Sequence, residues 1–217
     1  MDLNDLENLI KTRHSIRKYQ AKPVPEAMLL KAIELATWAP NGGNQQNWRF
    51  FVITNKGTIN AIADAVQAST NQMASWPEAA KFADAFERSK QMGVFFRNAP
   101  AVIAVAASKY QSYADLLLEM GEKADPQAHQ MREWRNSADS KIQSTSAAVA
   151  FLLLVLHQIG LGAVWMTGPM QARGEIEKIL NIKPEWEVVT FIPVGYPAET
   201  PEPKGRKPVS EVTEVIK

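Results

Sequence analysis

Residues 144–168 read STSAAVAFLLLVLHQIGLGAVWMTG. From Ala147 to Leu156 no side chain is charged or polar, so a helix here is apolar on every side. Such a helix belongs in a core or a subunit interface, not on a surface. The run is shorter than the ~20 apolar residues of a membrane span. His157, Gln158 and Gly160 close it, with Gly160 as the helix stop. Residues 162–167 resume as a small β-like segment, ending in Trp165, Met166, Thr167 and Gly168 before Pro169. The glycine-rich exit lets backbone approach a flat ligand closely, because glycine carries no Cβ. The same residues also read as a buried helix followed by a strand, with no ligand.

The rest of the chain has to wrap this spine. Its 217 residues fit one domain, and 46% hydrophobic content supports a sizeable core. A formal charge of +1 gives no global field toward nucleic acid or an anionic membrane. There is no cysteine, which excludes disulfides, thiolate metal sites and cysteine nucleophiles. The start, MDLNDLENLIKTR, is acidic and amphipathic and unlike a signal peptide, so a soluble cytoplasmic protein is the expectation.

Upstream, Leu3, Leu6, Leu9 and Ile10 have helical spacing. Residues 11–25 then carry Lys11, Arg13, Arg17, Lys18 and Lys22 without one acidic residue. Uncompensated charge on a short loop, with the Ser15 hydroxyl, suits an anion; a solvated basic turn would read the same way. A second helix runs from Pro25 to about Trp38. Residues 39–48, APNGGNQQNW, hold five amide side chains, which both donate and accept and so match a heterocycle edge. Asn and Gly are equally the residues of a plain turn.

Strands are expected at 49–54, 101–107 and 187–194, and mostly helix over 56–98, broken at Trp76 and Pro77. Residues 108–140 are polar and mixed, reading as a ligand cover or a surface excursion. His129, isolated among charges, reads as solvated, and His157 as a packed or capping residue. Residues 171–180 read as a short helix. The tail, 198–217, contains three prolines and should run extended around something else. Alternation places Lys204 and Arg206 on one side of it, where both could reach one phosphate; a solvated basic tail is the plainer reading. The chain has no phosphate-loop, Rossmann or nucleophile-turn motif. Its three histidines lack metal-ligand spacing.

Four segments together resemble the nitroreductase family of FMN-dependent oxidoreductases. They are Arg13-His-Ser-Ile-Arg17, Ala39-Pro-x-x-Gly-Asn44-x-Gln46-x-Trp48, residues 160–168 (GLGAVWMTG), and residues 192–197 (IPVGYP) with Pro203-Lys-Gly-Arg206. The resemblance runs from end to end in order, with residues 56–140 matching poorly. It implies one FMN-binding α+β domain over 1–217, with a mainly antiparallel sheet wrapped by helices and a variable helical or lid excursion at about 56–140. It further implies an intertwined homodimer with exchanged C-terminal tails, the spine at its interface and both subunits building each FMN site.

By position, Arg13 and Ser15 resemble phosphate or ribityl contacts, with His14 beside them. Arg17 resembles the cation near the flavin pyrimidine edge. Asn44 resembles the amide that bonds the isoalloxazine, with Gln46 supporting it. Trp165, Met166, Thr167 and Gly168 correspond to the strand passing the ring, and Lys204 and Arg206 to the pair that grips the phosphate. Two departures stand out: Asn47 where the family often has Pro, and Thr167 where some members are acidic. Both bear on which substrates stack on the ring.

The implied activity is hydride transfer from NADPH or NADH through flavin N5 to a nitroaromatic, a quinone or a similar flat electrophile, by ping-pong turnover. No catalytic side chain and no metal is expected, only Arg17 as an electrostatic stabiliser. The resemblance also leaves open a specialised reduced-flavin reaction, such as reductive dehalogenation or flavin breakdown, or flavin binding without turnover.

Overall fold

The computed structural model describes residues 2–217, apart from the side chains of Ser89 and Gln91. In chain order the elements are α1 (Leu3–Thr12), α2 (Glu26–Ala36), β1 (Trp48–Ile53), α3 (Lys56–Ala74), α4 (Ala83–Met92) and β2 (Ala101–Ser108). There follow α5 (Tyr113–Gly121), α6 (Pro126–Ala138), α7 (Ser140–Gln158), β3 (Gly162–Ala163), α8 (Arg173–Ile179) and β4 (Trp186–Gly195). The four strands form one sheet in the order β1-β2-β4-β3, antiparallel throughout. The expected α+β class holds.

The sheet lies between two helical layers, which explains why β2 is apolar from Ala101 to Ala107. Ile103 and Val105 face the α2/α7 layer with Leu29, Ala32, Leu152 and Leu156. Val102, Ala104 and Ala106 face the other layer with Ile59, Ile62, Phe96 and Ile176. A strand buried on both faces shows no alternation, because each side of the pleat meets hydrocarbon.

The spine is α7, and its exit is a Schellman cap. Gly160 takes φ +80°, the Leu161 N–H returns to the Leu156 carbonyl at 2.9 Å, and the Gly160 N–H to His157 at 3.0 Å. By length and composition the stretch Pro126–Gln158 could cross a membrane, but packing makes α7 a core helix, with Leu152 and Leu156 fully buried. Its burial is nonetheless incomplete. Phe151 is 41% exposed, and Ala147, Ala150, Leu154 and Gln158 continue the same open stripe. In a single chain the helix is half core and half uncovered.

The β-like segment expected over 162–167 is shorter than its composition suggested. Only Gly162–Ala163 pairs as strand, and Met166 forms a separate bridge to Phe191. Residues 108–140 fold as the α5–α6 hairpin, which its mixed composition did not reveal. Capping signals were present: Ser112 and Asp115 form a capping box, and Asp125 caps α6 ahead of Pro126. The 198–217 tail is extended, as its prolines dictate, apart from one short turn at Val209–Glu211.

Candidate functional site

Arg13 to Arg17 runs along the β3 end of the sheet. Ser15 bridges Ala163, and the Ile16 N–H donates to the Ala163 carbonyl at 3.1 Å. A Cβ added to Gly162 would lie 2.8 Å from Ile16, so glycine sets this close approach. Arg13, His14 and Ser15 are half-buried and Arg17 is exposed. Arg13 and His14 line a cavity of about 240 Å³ with His157, Gly162 and Glu199. The positive charge there is felt by its neighbour: burial, then Arg13 and His14, hold the His157 pKa below its ordinary value. His157 Nε2 meets Thr12 Oγ1 at 2.9 Å, the packed role expected of it.

Residues 162–168 pass the same end of the sheet. Met166 spends both backbone groups on Phe191, at 2.9 and 3.0 Å, and its carbonyl also accepts from Thr190 Oγ1. The next N–H, that of Thr167, bonds to nothing among the described residues. Trp165, Thr167 and Gly168 are exposed, and a Cβ on Gly168 would meet nothing. The first and third segments singled out in the sequence therefore meet at Ser15 and Ala163, and the third runs on into an exposed stretch with a spare backbone donor.

The amide loop sorts its side chains into two classes. Asn41 Oδ1 accepts from the Gln46 N–H, Gln45 Nε2 donates to the Gln111 carbonyl, and Asn47 Nδ2 to the Ser108 carbonyl. Those three hold the loop together. The amides of Asn44 and Gln46 make no hydrogen bond among the described residues, and both residues sit at positive φ, 52° and 47°. Non-glycine residues in that region store strain, which a surrounding structure retains where it serves a site. Asn47 is only 4% exposed, with its Oδ1 buried and without a partner among the described residues, and it packs against the end of β2.

These groups do not converge within one chain. The amide loop is pinned to the start of α7, where the Gly42 N–H donates to Ser144 Oγ at 3.2 Å. The cation loop sits at the other end, beside His157. At 1.5 Å per residue those points lie about 20 Å apart along the helix. Lys204 and Arg206 are exposed, and Arg206 turns back to the carbonyls of Lys204 and Gly205 at 3.0 and 3.1 Å.

A larger cavity, about 590 Å³, lies beneath the α5–α6 hairpin and is lined by charged residues including Lys109, Glu119, Arg135 and Glu185. Arg135 Nε donates to Asp115 at 2.6 Å and holds that carboxyl well below the usual range. His129, expected to be simply solvated, hydrogen-bonds Glu122 at 2.6 Å, which raises its pKa. The described residues contain no cluster of His, Asp or Glu arranged for a metal.

The donor set fits FMN on its own chemistry. Half-buried cations and a hydroxyl suit a phosphate, while unspent amides and a spare N–H suit an isoalloxazine.

Comparison with known proteins agrees. The model of the Nitroreductase family matches residues 10–196. A Methanothermobacter thermautotrophicus protein provisionally named NADH dehydrogenase/NAD(P)H nitroreductase is 30% identical over 200 residues, covering 91% of this chain and 80% of its own. The crystal structure of a BluB-like flavoprotein from Clostridium difficile 630 is 27% identical and superposes over 100% of both chains with TM-score 0.85. That of an iodotyrosine deiodinase bound to FMN and 3-iodo-L-tyrosine is 25% identical, covers 98% of this chain and 97% of its own, and has TM-score 0.67.

Proposed function

The chain belongs to the nitroreductase family, and on that footing we propose that it is a cytoplasmic, homodimeric FMN-dependent oxidoreductase. It uses NADPH or NADH to reduce nitroaromatics, quinones or similar flat electrophiles, and it engages neither nucleic acid nor membrane. One observation carries the reading. The two unspent amides, Asn44 and Gln46, and the cation loop are both built for a flavin, yet stand at opposite ends of α7. An antiparallel pairing of two α7 helices would bring one chain's amide loop to its partner's cation loop.

The surface supports such a dimer. Besides the open stripe of α7, apolar residues stand exposed on α1 (Leu3, Ile10), which packs on α7, and in the tail (Val212, Ile216). Covering so much apolar surface is what subunit association does. Of the two sheet edges, β3 already meets Ser15, whereas the outer side of β1 pairs with no strand among the described residues. A partner's extended tail can add a strand there.

FMN, when bound, would supply the hydride-transfer chemistry between a nicotinamide and the acceptor. The chain's residues position it. Arg13 and Ser15 hold the phosphate or ribityl, with His14 beside them and Lys204 and Arg206 completing the phosphate grip. Arg17 places positive charge at the pyrimidine edge, Asn44 and Gln46 bond the ring, and the segment from Trp165 to Gly168 lines its side. No side-chain acid or base is required.

A second reading is a specialised reduced-flavin reaction. The whole-chain superposition on a BluB-like flavoprotein and the likeness to an iodotyrosine deiodinase support it. An absorption spectrum of the purified protein with FMN, before and after NADPH or NADH under anaerobic conditions, tests both. Flavin bands that bleach establish the nicotinamide-driven enzyme. Bands that persist with both donors favour the specialised reaction, and failure to bind FMN overturns both readings.

A further inference from the structure

Glu199 holds together two segments 182 residues apart in sequence. Its Oε1 accepts the consecutive backbone N–H groups of Arg17 (2.5 Å) and Lys18 (3.0 Å). Around that clasp the Ala198 N–H donates to the Lys18 carbonyl at 2.9 Å, and the Gln20 N–H to Tyr196 at 2.9 Å. Gln20 Nε2 reaches the Pro197 carbonyl at 3.0 Å. The root of the tail is thus fastened to the cation loop, and the fastening ends at Glu199.

Beyond it the sequence is Thr200-Pro-Glu-Pro-Lys204-Gly-Arg206. Prolines 201 and 203 stiffen this span. A proline-rich segment extends about 3.1 Å per residue with little freedom, so Lys204 swings on an arm of about 15 Å from its anchor. The anchor therefore decides where Lys204 and Arg206 can reach. Occupation of the Arg17 and Lys18 N–H pair by Oε1 also removes those donors from any other anion. What remains for a phosphate is side chains: Arg13, Ser15 and the two tail cations.

We propose that Glu199 is a positioning residue for the flavin phosphate: it clamps the tail to the cation loop so that Lys204 and Arg206 converge with Arg13 and Ser15. This rests on the reading of the chain as an FMN protein. A carboxylate beside an anion site repels the anion on simple charge grounds, so removing one should tighten FMN. The clamp requires the opposite sign, because the free tail loses its two cations as phosphate ligands.

The test is a double-mutant cycle on FMN affinity in the full chain, measured by flavin fluorescence quenching, with trypsin cleavage of the flavin-free protein as an independent readout. Glu199→Ala should weaken FMN about 10-fold, in keeping with the loss of hydrogen bonds to a charged group. It should also speed tryptic cleavage after Lys204 and Arg206. Glu199→Gln keeps an acceptor oxygen and should recover most of both. In a Lys204→Ala, Arg206→Ala background, Glu199→Ala should cost nothing further, since its action runs through those cations.

Unchanged or tighter FMN binding by Glu199→Ala overturns the proposal, as does an undiminished loss in the double-alanine background. Should Glu199→Ala not fold, Glu199→Leu, which fills the space and accepts no hydrogen bond, decides by the same comparison in the two backgrounds. A wild-type chain that takes up no FMN overturns the functional reading instead, and the cleavage assay still reports whether the clamp exists.

Discussion

The backbone N–H of Gly42 donates to the hydroxyl of Ser144 at 3.2 Å. Ser144 is 5% exposed and belongs to the first turns of α7, so this bond ties the amide loop to the central helix of the core. Ser144→Ala leaves a part-buried donor without its partner, at about 1–3 kcal/mol. The urea midpoint should fall accordingly. FMN affinity should fall as well, because Asn44 and Gln46 lose the tether that holds their strained backbone. A lower midpoint with unchanged affinity would mean that the loop is placed by Gln45 and Asn41 alone.

His157 reports on the phosphate end. Burial, Arg13 and His14 together keep its pKa below the ordinary 6.5, so it is neutral at pH 7. For a base held low in the folded state, protonation favours the unfolded chain. The associated stability is complete above the unfolded value and declines as pH falls below it. A phosphate bound beside Arg13 brings negative charge and offsets the repulsion, so FMN should raise the His157 pKa. NMR titration of the imidazole with and without FMN checks the sign. An unmoved value would place the phosphate away from Arg13.

How much of this was legible beforehand differs by element, for physical reasons. β2 was readable because burial on both faces writes an uninterrupted apolar run, Ala101 to Ala107, and the spine because Ala147 to Leu156 carries no polar side chain. Arg13, His14, Ser15, Arg17 and the segment from Trp165 to Gly168 were linked beforehand only by the family resemblance; the approach of Ile16 to Gly162 is visible only in the fold. The α5–α6 hairpin was not: Tyr113, Met120 and Trp134 stay exposed, at 79%, 69% and 62%, so no periodic core face marks it. Glu199 was missed because a carboxylate in a charge-balanced tail looks solvated until folding brings two N–H groups to it. Asn41 and Gln45 were indistinguishable in composition from Asn44. Only the fold reveals which amides are already spent.

The α5–α6 hairpin should have a pH window. Arg135, then Ser112, depress Asp115, while His129 and Arg132 depress Glu122. Those contributions are present above the ordinary carboxylate range and fade as pH falls through the lowered values. The pKa of His129 is raised, first by Glu122 and then by Glu133. Its contribution is full below 6.5 and is lost as pH climbs through the raised value. Protection of residues 113–138 in hydrogen exchange, corrected for intrinsic rate, should therefore be greater near pH 6 than near pH 9. His129→Gln should flatten the alkaline loss and leave the acid side intact. Equal loss in the variant would assign the change to another group.

The separation of the amide loop from the cation loop makes the strongest prediction of all. Take two variants, Arg13→Ala and Asn44→Ala, each retaining FMN poorly as a homodimer. Unfolded together and refolded as a mixture, they form hybrids in which one chain lacks Arg13 and the other lacks Asn44. If each site draws its cations from one chain and its amides from the other, every hybrid holds one doubly altered site and one wholly native site. Random pairing makes hybrids half of all dimers, so a quarter of the sites should recover wild-type affinity. If one chain supplied both groups, every site in the hybrid would still carry one lesion, and nothing would recover. Flavin titration of the mixture against the two separate variants distinguishes these outcomes without any knowledge of the acceptor. A tight component near one quarter of the sites requires the composite arrangement, and its absence would leave the roughly 20 Å between Ser144 and His157 unbridged.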